Sequence, residues 1–133
     1  MTAPTCLLIE DDDVIRDLLR KAIERIGYQV TCAKTYVEAE ACWETRESIE
    51  GGFLAVVTDD EIPPEAGRLP RSHAREIVRM CHEHAQVVIH SGHGRYRFAQ
   101  ACDDYGVDAI PKGQTQELLG WLERVKATDM GAS

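Results

Sequence analysis

Two acidic runs in this chain, E-D-D-D at residues 10–13 and D-D-E at residues 59–61, each directly follow a short apolar run. Ser91 closes a third apolar run, and Lys112 follows a fourth. Carboxylates gathered in one place repel. Two of them about 4 Å apart cost roughly 4 kcal/mol at an effective dielectric of about 20. They raise one another's pKa unless a cation offsets the charge. A hard divalent ion such as Mg²⁺ meets that need, because it takes a few carboxylates, keeps several waters and accepts phosphate oxygens as further ligands. An ammonium and a hydroxyl at the same place would both donate to a phosphoryl group. The residue types therefore point to phosphoryl chemistry with a divalent cation, provided the fold brings them together. Singly each is weak: an acid after a strand often caps the next helix, as Asp12 or Asp13 would, and a lone serine or lysine is ordinarily solvated.

The elements that must position these residues alternate along the chain. Residues 5–10, "TCLLIE", form a continuous apolar run, as a strand buried on both faces does. Ile15, Leu18, Leu19, Ala22, Ile23 and Ile26 then recur at helical spacing up to Gly27. Residues 28–32 read as a second strand. Thr35 is placed to cap a helix carrying Ala39, Cys42 and Trp43 on one face, broken by Gly51-Gly52. Residues 53–59, "FLAVVTD", are the third and most apolar strand. A loop with Pro63, Pro64, Gly67 and Pro70 follows. Ser72 is placed to cap a third helix bearing Ile77, Val78, Met80 and Cys81. Residues 86–91 are the fourth strand, and Gly92 and Gly94 lead into a fourth helix ended by Gly106. Residues 107–111 are a short fifth strand. A last helix carries Leu118, Leu119, Leu122 and Val125, and the tail "TDMGAS" is expected to fray. Such alternation gives an α/β fold, a doubly wound parallel sheet with helices on both faces. Ligands in such sheets bind beyond the carboxyl ends of the strands, which is where Glu10, Asp11, Asp59, Ser91 and Lys112 fall.

The 133 residues suit one domain, with a core over about residues 5–127. The 44% apolar content can fill one core, and the 29% charged content gives a water-compatible surface. The apolar runs are too short to span a bilayer, and the opening residues lack the basic and apolar regions of a signal peptide. The expected compartment is the cytoplasm. The odd number of cysteines, five without a C-x-x-C pair, reads as reduced thiols rather than a disulfide or zinc framework. A net charge of −8 disfavours direct nucleic-acid binding. The charge is uneven, however. Residues 68–100 carry Arg68, Arg71, Arg75, Arg79, Arg95 and Arg97 against Glu76 and Glu83, together with His73, His82, His84, His90 and His93. A solvated basic flank is the simpler reading, and a docking surface for an acidic partner is the functional one. A histidine metal site is disfavoured, since His82 and His84 are two apart and point to different helix faces.

From about Cys6 to about Lys126 the sequence resembles the receiver domain of bacterial response regulators. "LLIEDDDVIRDLLRKAIERIGYQV" is similar to the family's opening strand, acidic pair and first helix. "DDEIPPEAG" carries its D-x-x-x-P-x-x-x-G pattern from Asp59 through Pro63 to Gly67. "VVIHSG" and "AIPKG" are similar to its fourth and fifth strands. The resemblance implies a flavodoxin-like strand order 2-1-3-4-5 in a single receiver domain like the chemotaxis regulator. It implies that Asp59, not Asp60, is the phosphoacceptor, Ser91 the switch hydroxyl and Lys112 the phosphate contact. Glu10 and Asp11 would hold Mg²⁺ or Mn²⁺ with Asp59 and the Glu61 backbone carbonyl; a register shift of one would bring in Asp12. The implied partners are a histidine kinase or phosphotransfer protein and a downstream protein, with no nucleic acid or membrane, and a homodimer through the fourth and fifth helices is compatible. Such a chain is a switch rather than a turnover enzyme, catalysing only its own phosphorylation and dephosphorylation. By resemblance, Glu61 and His93 sit where hydrolysis of the phosphoaspartate is tuned.

The sequence departs from the family in four places, one of them the stretch "RLPRSHARE", after which a late start of the third helix is expected. Asp60 stands where an apolar residue is usual. Gly113 replaces the proline that usually follows the lysine. The fifth strand has Ala109 or Ile110, depending on the count, where an aromatic switch residue is usual. The missing aromatic and Gly113 favour, as an alternative, a degenerate receiver acting as a phosphorylation-independent interaction module. A haloacid-dehalogenase-like phosphatase is a weaker rival, because it wants an aspartate where Glu61 stands. No phosphate loop of the G-x-x-x-x-G-K-[ST] kind is present.

Overall fold

Strand β1 (Thr5–Ile9) is buried at every position, which requires cover on both faces and a partner on each edge. The computed structural model describes residues 3–93 and 95–132. In it β1 lies between β2 (Gln29–Ala33) and β3 (Phe53–Thr58), and the sheet continues through β6 (Gln86–Ser91) to β7 (Asp108–Pro111), all pairs parallel. The order β2-β1-β3-β6-β7 is the expected 2-1-3-4-5 pattern once two small extra strands are set aside.

Alternation along the strands divides the core in two. Leu7 and Ile9 face one layer, with Trp43 of α2 (Tyr36–Glu44), Ile77 and Val78 of α3 (Ala74–Cys81), and Phe98 just before α4 (Ala99–Tyr105). Cys6 and Leu8 face the other, with Leu19 and Ile23 of α1 (Asp13–Arg25) and Leu118, Trp121 and Leu122 of α5 (Thr115–Ala132). An irregularity in β3 shifts its register against β1 between Thr5 and Cys6, so Phe53 and Val56 share one face while Ala55 and Val57 share the other.

Local signals account for most element ends. Asp12 caps α1, accepting from the backbone N–H groups of Val14 and Ile15 at 2.9 and 3.0 Å. Thr35 caps α2 by accepting the N–H of Glu38, and the Glu38 carboxylate accepts the N–H of Lys34, one residue before the cap. Gly106 ends α4 at φ 66°, a left-handed conformation that a side chain disfavours.

Several expectations are corrected. Leu18 is 63% exposed rather than part of the α1 core stripe. Helix α2 stops at Glu44, ahead of Gly51-Gly52, where the Thr45 hydroxyl turns back onto the Cys42 carbonyl and a 3₁₀ turn (Arg46–Ser48) follows. Ser72 does not cap α3. It belongs to β5 (Arg71–Ser72), which pairs antiparallel with β4 (Glu61–Ile62), and the helix begins two residues later. The ribbon is anchored by Ile62, which is fully buried. The fourth helix begins as a 3₁₀ turn (Arg95–Phe98) before α4; Gly94, expected to lead into it, lies outside the described residues. Helix α5 continues to Ala132, through most of the tail expected to fray; no proline interrupts it and its only glycine before Gly131 is Gly120. Ser133 lies outside the described residues.

Candidate functional site

The carboxyl ends of β1, β3, β6 and β7 open onto one cleft of about 480 Å³ lined by Glu10, Asp11, Asp12, Asp59, Glu61, Ser91, His93 and Lys112, with Ile15, Pro70 and Gly92 at its walls. Parallel pairing fixes this convergence, because the N–H of Asp59 donates to the Ile9 carbonyl and the N–H of Lys112 to the Ser91 carbonyl, at 2.9 and 2.7 Å. The five residues expected to carry chemistry at strand ends are therefore brought together.

Carboxylate oxygens of Glu10, Asp11 and Asp59 all lie within 4.8 Å of one another. The Lys112 ammonium stands among them, 2.8 Å from Asp59 Oδ2 and 2.8 Å from Glu10 Oε1. Glu10 and Asp59 are buried. Burial pushes the Glu10 carboxyl up to about 7, with Lys112 pulling it back down and the Asp59 charge adding to the rise. Burial disfavours the Lys112 ammonium, but Asp59 and Glu10 outweigh it and hold its pKa above the ordinary value. One ammonium against three carboxylates leaves negative charge in excess, and a set of hard oxygen donors with that excess fits Mg²⁺ or Mn²⁺. Asp12 lines the same cleft, but its Oδ1 is engaged in capping α1.

Ser91 is 2% exposed at the end of β6, and its Oγ accepts the N–H of His93 at 3.2 Å. Glu61 holds His93 through a 3.2 Å contact between its Oε1 and Nε2. Ala109 and Ile110 are both buried, and neither is aromatic. No disulfide links the cysteines among the described residues, and no described helix is long and apolar enough to cross a membrane.

One participant at the site was not legible as such in the sequence. Asp60, set aside there as phosphoacceptor and noted for replacing an apolar residue, is fully buried. Its N–H donates to Asp59 Oδ1 at 2.7 Å, its Oδ1 accepts from Ser72 Oγ at 2.5 Å and from the Ala74 N–H at 3.3 Å, and its Oδ2 faces the Arg97 guanidinium at 3.4 Å. The buried carboxylate thus does for α3 the capping expected of Ser72. Asp60, Glu61 and His93 form a second group of potential metal ligands. There Arg97, 3.2 Å from His93 Nε2 and 3.4 Å from Asp60 Oδ2, already supplies the positive charge. The remaining basic flank is largely paired: Arg68 with Glu65, Arg75 with Asp104, and Arg79 with the Tyr105 hydroxyl.

The fold is that of the response-regulator receiver domain. No protein-family model matches the chain. The transcriptional regulatory protein AruR of Pseudomonas aeruginosa is 34% identical over 64 residues, 48% of this chain and 26% of that protein, so the match spans about a quarter of the relative's length. The non-phosphorylated HemR receiver domain from Leptospira biflexa is 27% identical with a TM-score of 0.72, over 92% of this chain and 93% of that one. The response regulator TrrA from Thermotoga maritima, solved in complex with Mg²⁺-BeF, is 18% identical with a TM-score of 0.69, over 92% of this chain and 98% of that one. Further solved receiver domains match over 97 to 98% of this chain. These likenesses support a two-component response-regulator role.

Proposed function

We propose that this chain is a phosphoacceptor switch of a two-component system, taking a phosphoryl group from a phosphohistidine of a histidine kinase or phosphotransfer protein onto Asp59. The observation that carries this reading is the placement of Lys112 Nζ at 2.8 Å from both Asp59 and Glu10, in the cleft that Ser91 also lines. Glu10, Asp11 and Asp59 would hold Mg²⁺ or Mn²⁺, joined by the Glu61 backbone carbonyl. When bound, the ion neutralises charge on the phosphoryl oxygens, the main requirement of such a transfer.

The residues' own parts follow from their positions. An Asp59 carboxylate oxygen bonds to phosphorus as the phosphorus–nitrogen bond of the donor breaks, and the electron pair returns to the imidazole. Lys112 exchanges its contact with Asp59 for one with a phosphoryl oxygen. Ser91 gives up its contact with His93 and donates to the same group, and the connection from β6 to α4 shifts with it. A two-state element biased by those contacts carries the signal to a downstream protein. Val14 and Leu18, 69% and 63% exposed on α1, offer apolar surface to a phosphodonor. We place this switch in the cytoplasm, where a histidine kinase presents its phosphohistidine.

The test is labelling with acetyl phosphate and Mg²⁺, read by intact mass. One phosphate should add to the unsubstituted chain and none to Asp59→Asn. Equal labelling of both chains would remove Asp59 as the acceptor. The second reading, a phosphorylation-independent interaction module, is favoured by the aliphatic residues at 109 and 110. It predicts no response to Mg²⁺ or to beryllofluoride.

A further inference from the structure

The segment after Asp59 is tied to the chain leading into α4 by charge. Asp60 is buried with its Oδ2 3.4 Å from Arg97, a residue 44% exposed at the side chain in the 3₁₀ turn before α4. Arg97 also lies 3.2 Å from His93 Nε2, and that ring nitrogen lies 3.2 Å from Glu61 Oε1. Two consecutive acids after Asp59 thus hold two residues of the β6–α4 connection. The near end of this network touches the acceptor, since the Asp60 N–H donates to Asp59 Oδ1. Its other arm reaches Ser72 and the start of α3.

We infer that the Asp60–Arg97 ion pair is a latch that holds the β6–α4 connection in its unphosphorylated arrangement. The inference rests on the proposed phosphorylation of Asp59 and names how that site is regulated. A buried carboxylate without its cation is strongly unfavourable, whereas a half-exposed guanidinium can return to water at little cost. Asp60 is fixed by Ser72 and Ala74 at its carboxylate and by the His73 N–H at its carbonyl, so it stays where it is when the pair opens. Drawing Ser91 toward a phosphoryl group turns His93 away from Ser91 Oγ and moves Arg97, which lies four residues further along the same connection and contacts the His93 ring. The phosphorylated arrangement must therefore leave Asp60 Oδ2 uncompensated, and that penalty biases the resting chain toward the off state. The device uses residues that this chain has in place of an apolar side chain at position 60, and it needs no aromatic in β7.

The latch makes a thermodynamic prediction that a merely structural ion pair does not. In Arg97→Met the carboxylate lacks its partner in both states, so the off state loses its advantage and the equilibrium moves toward the on state. A ligand that selects the on state then binds more tightly by the lost differential. We would titrate the unsubstituted chain, Arg97→Met, Arg97→Lys and Asp60→Asn with beryllofluoride in Mg²⁺, following binding by calorimetry and stability by thermal melting. Arg97→Met and Asp60→Asn should bind beryllofluoride more tightly by on the order of 5-fold or more, the range of ordinary allosteric couplings. Arg97→Lys, which keeps the charge, should stay near the unsubstituted chain. The double variant should gain no more than either single one, because both remove the same contact. A lower melting temperature with unchanged or weaker binding in Arg97→Met would overturn the latch and leave the phosphorylation reading intact. If Arg97→Met does not fold, Asp60→Asn carries the same test. Failure of the unsubstituted chain to bind beryllofluoride at all would overturn both, and only that outcome touches the phosphorylation reading.

Discussion

Asp59 and Lys112 are 53 positions apart in the chain, and their side chains meet at 2.8 Å. The contact closes the cleft between the third and fifth strands of the main sheet, and it sets an ammonium against a carboxylate that has two further acids beside it. Lys112 therefore has two opposite effects. It would stabilise a phosphoryl group on Asp59, and it competes with any cation for the same negative charge.

That opposition is separable by substitution. Lys112→Met should slow labelling of Asp59 by acetyl phosphate by roughly 10²-fold, the scale on which one preorganised donor acts in a transition state. The same variant should bind Mg²⁺ at least as tightly as the unsubstituted chain, because the repelling charge is gone. Rate by intact mass and affinity by calorimetry check the two halves. Loss of Mg²⁺ binding together with labelling would show that Lys112 organises the carboxylates rather than opposing the ion.

The adjacent acids Asp11 and Asp12 have different surroundings and should fail differently. Asp12→Ala removes the α1 cap and should lower stability by about 1 kcal/mol while leaving Mg²⁺ affinity nearly unchanged. Asp11→Asn should weaken Mg²⁺ binding with little effect on the melting temperature. The reverse pattern would shift the metal set by one residue.

His90 supplies a pH dependence of the fold. It is 4% exposed in β6, with no hydrogen-bond partner at Nε2. Burial, and then the Lys112 charge, push its pKa down to about 4, with Asp59 pulling the other way. Between that value and the ordinary one the unfolded chain binds a proton that the folded chain does not, so this term destabilises the fold as pH falls from about 6.5 toward 4. The loss approaches about 3 kcal/mol at 1.36 kcal/mol per pKa unit. Denaturant melts at pH 7 and pH 4 should show a smaller difference for His90→Leu than for the unsubstituted chain.

The β4–β5 ribbon is held by burial of Ile62. Ile62→Ala should cost about 3 kcal/mol, within the usual range for removing a buried aliphatic side chain. It should also loosen Ser72 and Asp60, to which the ribbon is bonded. Hydrogen exchange across residues 60–74 would register the loosening. Unchanged protection there would mean that the Asp60 carboxylate alone holds the segment.

Strand–helix alternation in the sequence was enough for a parallel sheet with a two-sided core and a cleft at its strand ends, while the strand order came from the resemblance and was met in the fold. Continuous apolar runs such as residues 6–9 and 53–57, each bounded by polar residues and too short for a helix, read as strands covered on both faces. Parallel connection then sends Glu10, Asp59, Ser91 and Lys112 to one rim, whatever the details of the loops. Caps at Asp12 and Thr35 and the glycine stop at Gly106 are local chemistry, readable from a few neighbouring residues. Tertiary structure alone decided the 60–74 segment and the exposure of Leu18. Asp60 and Ser72 meet across 12 positions, and no periodicity announces a two-residue ribbon. Whether an acid is a solvated loop residue, a helix cap or one half of a buried ion pair depends on what stands opposite it after folding. For Asp60 that neighbour is Arg97, 37 positions away in the chain, and the attraction between them exists only once water has been excluded from the carboxylate.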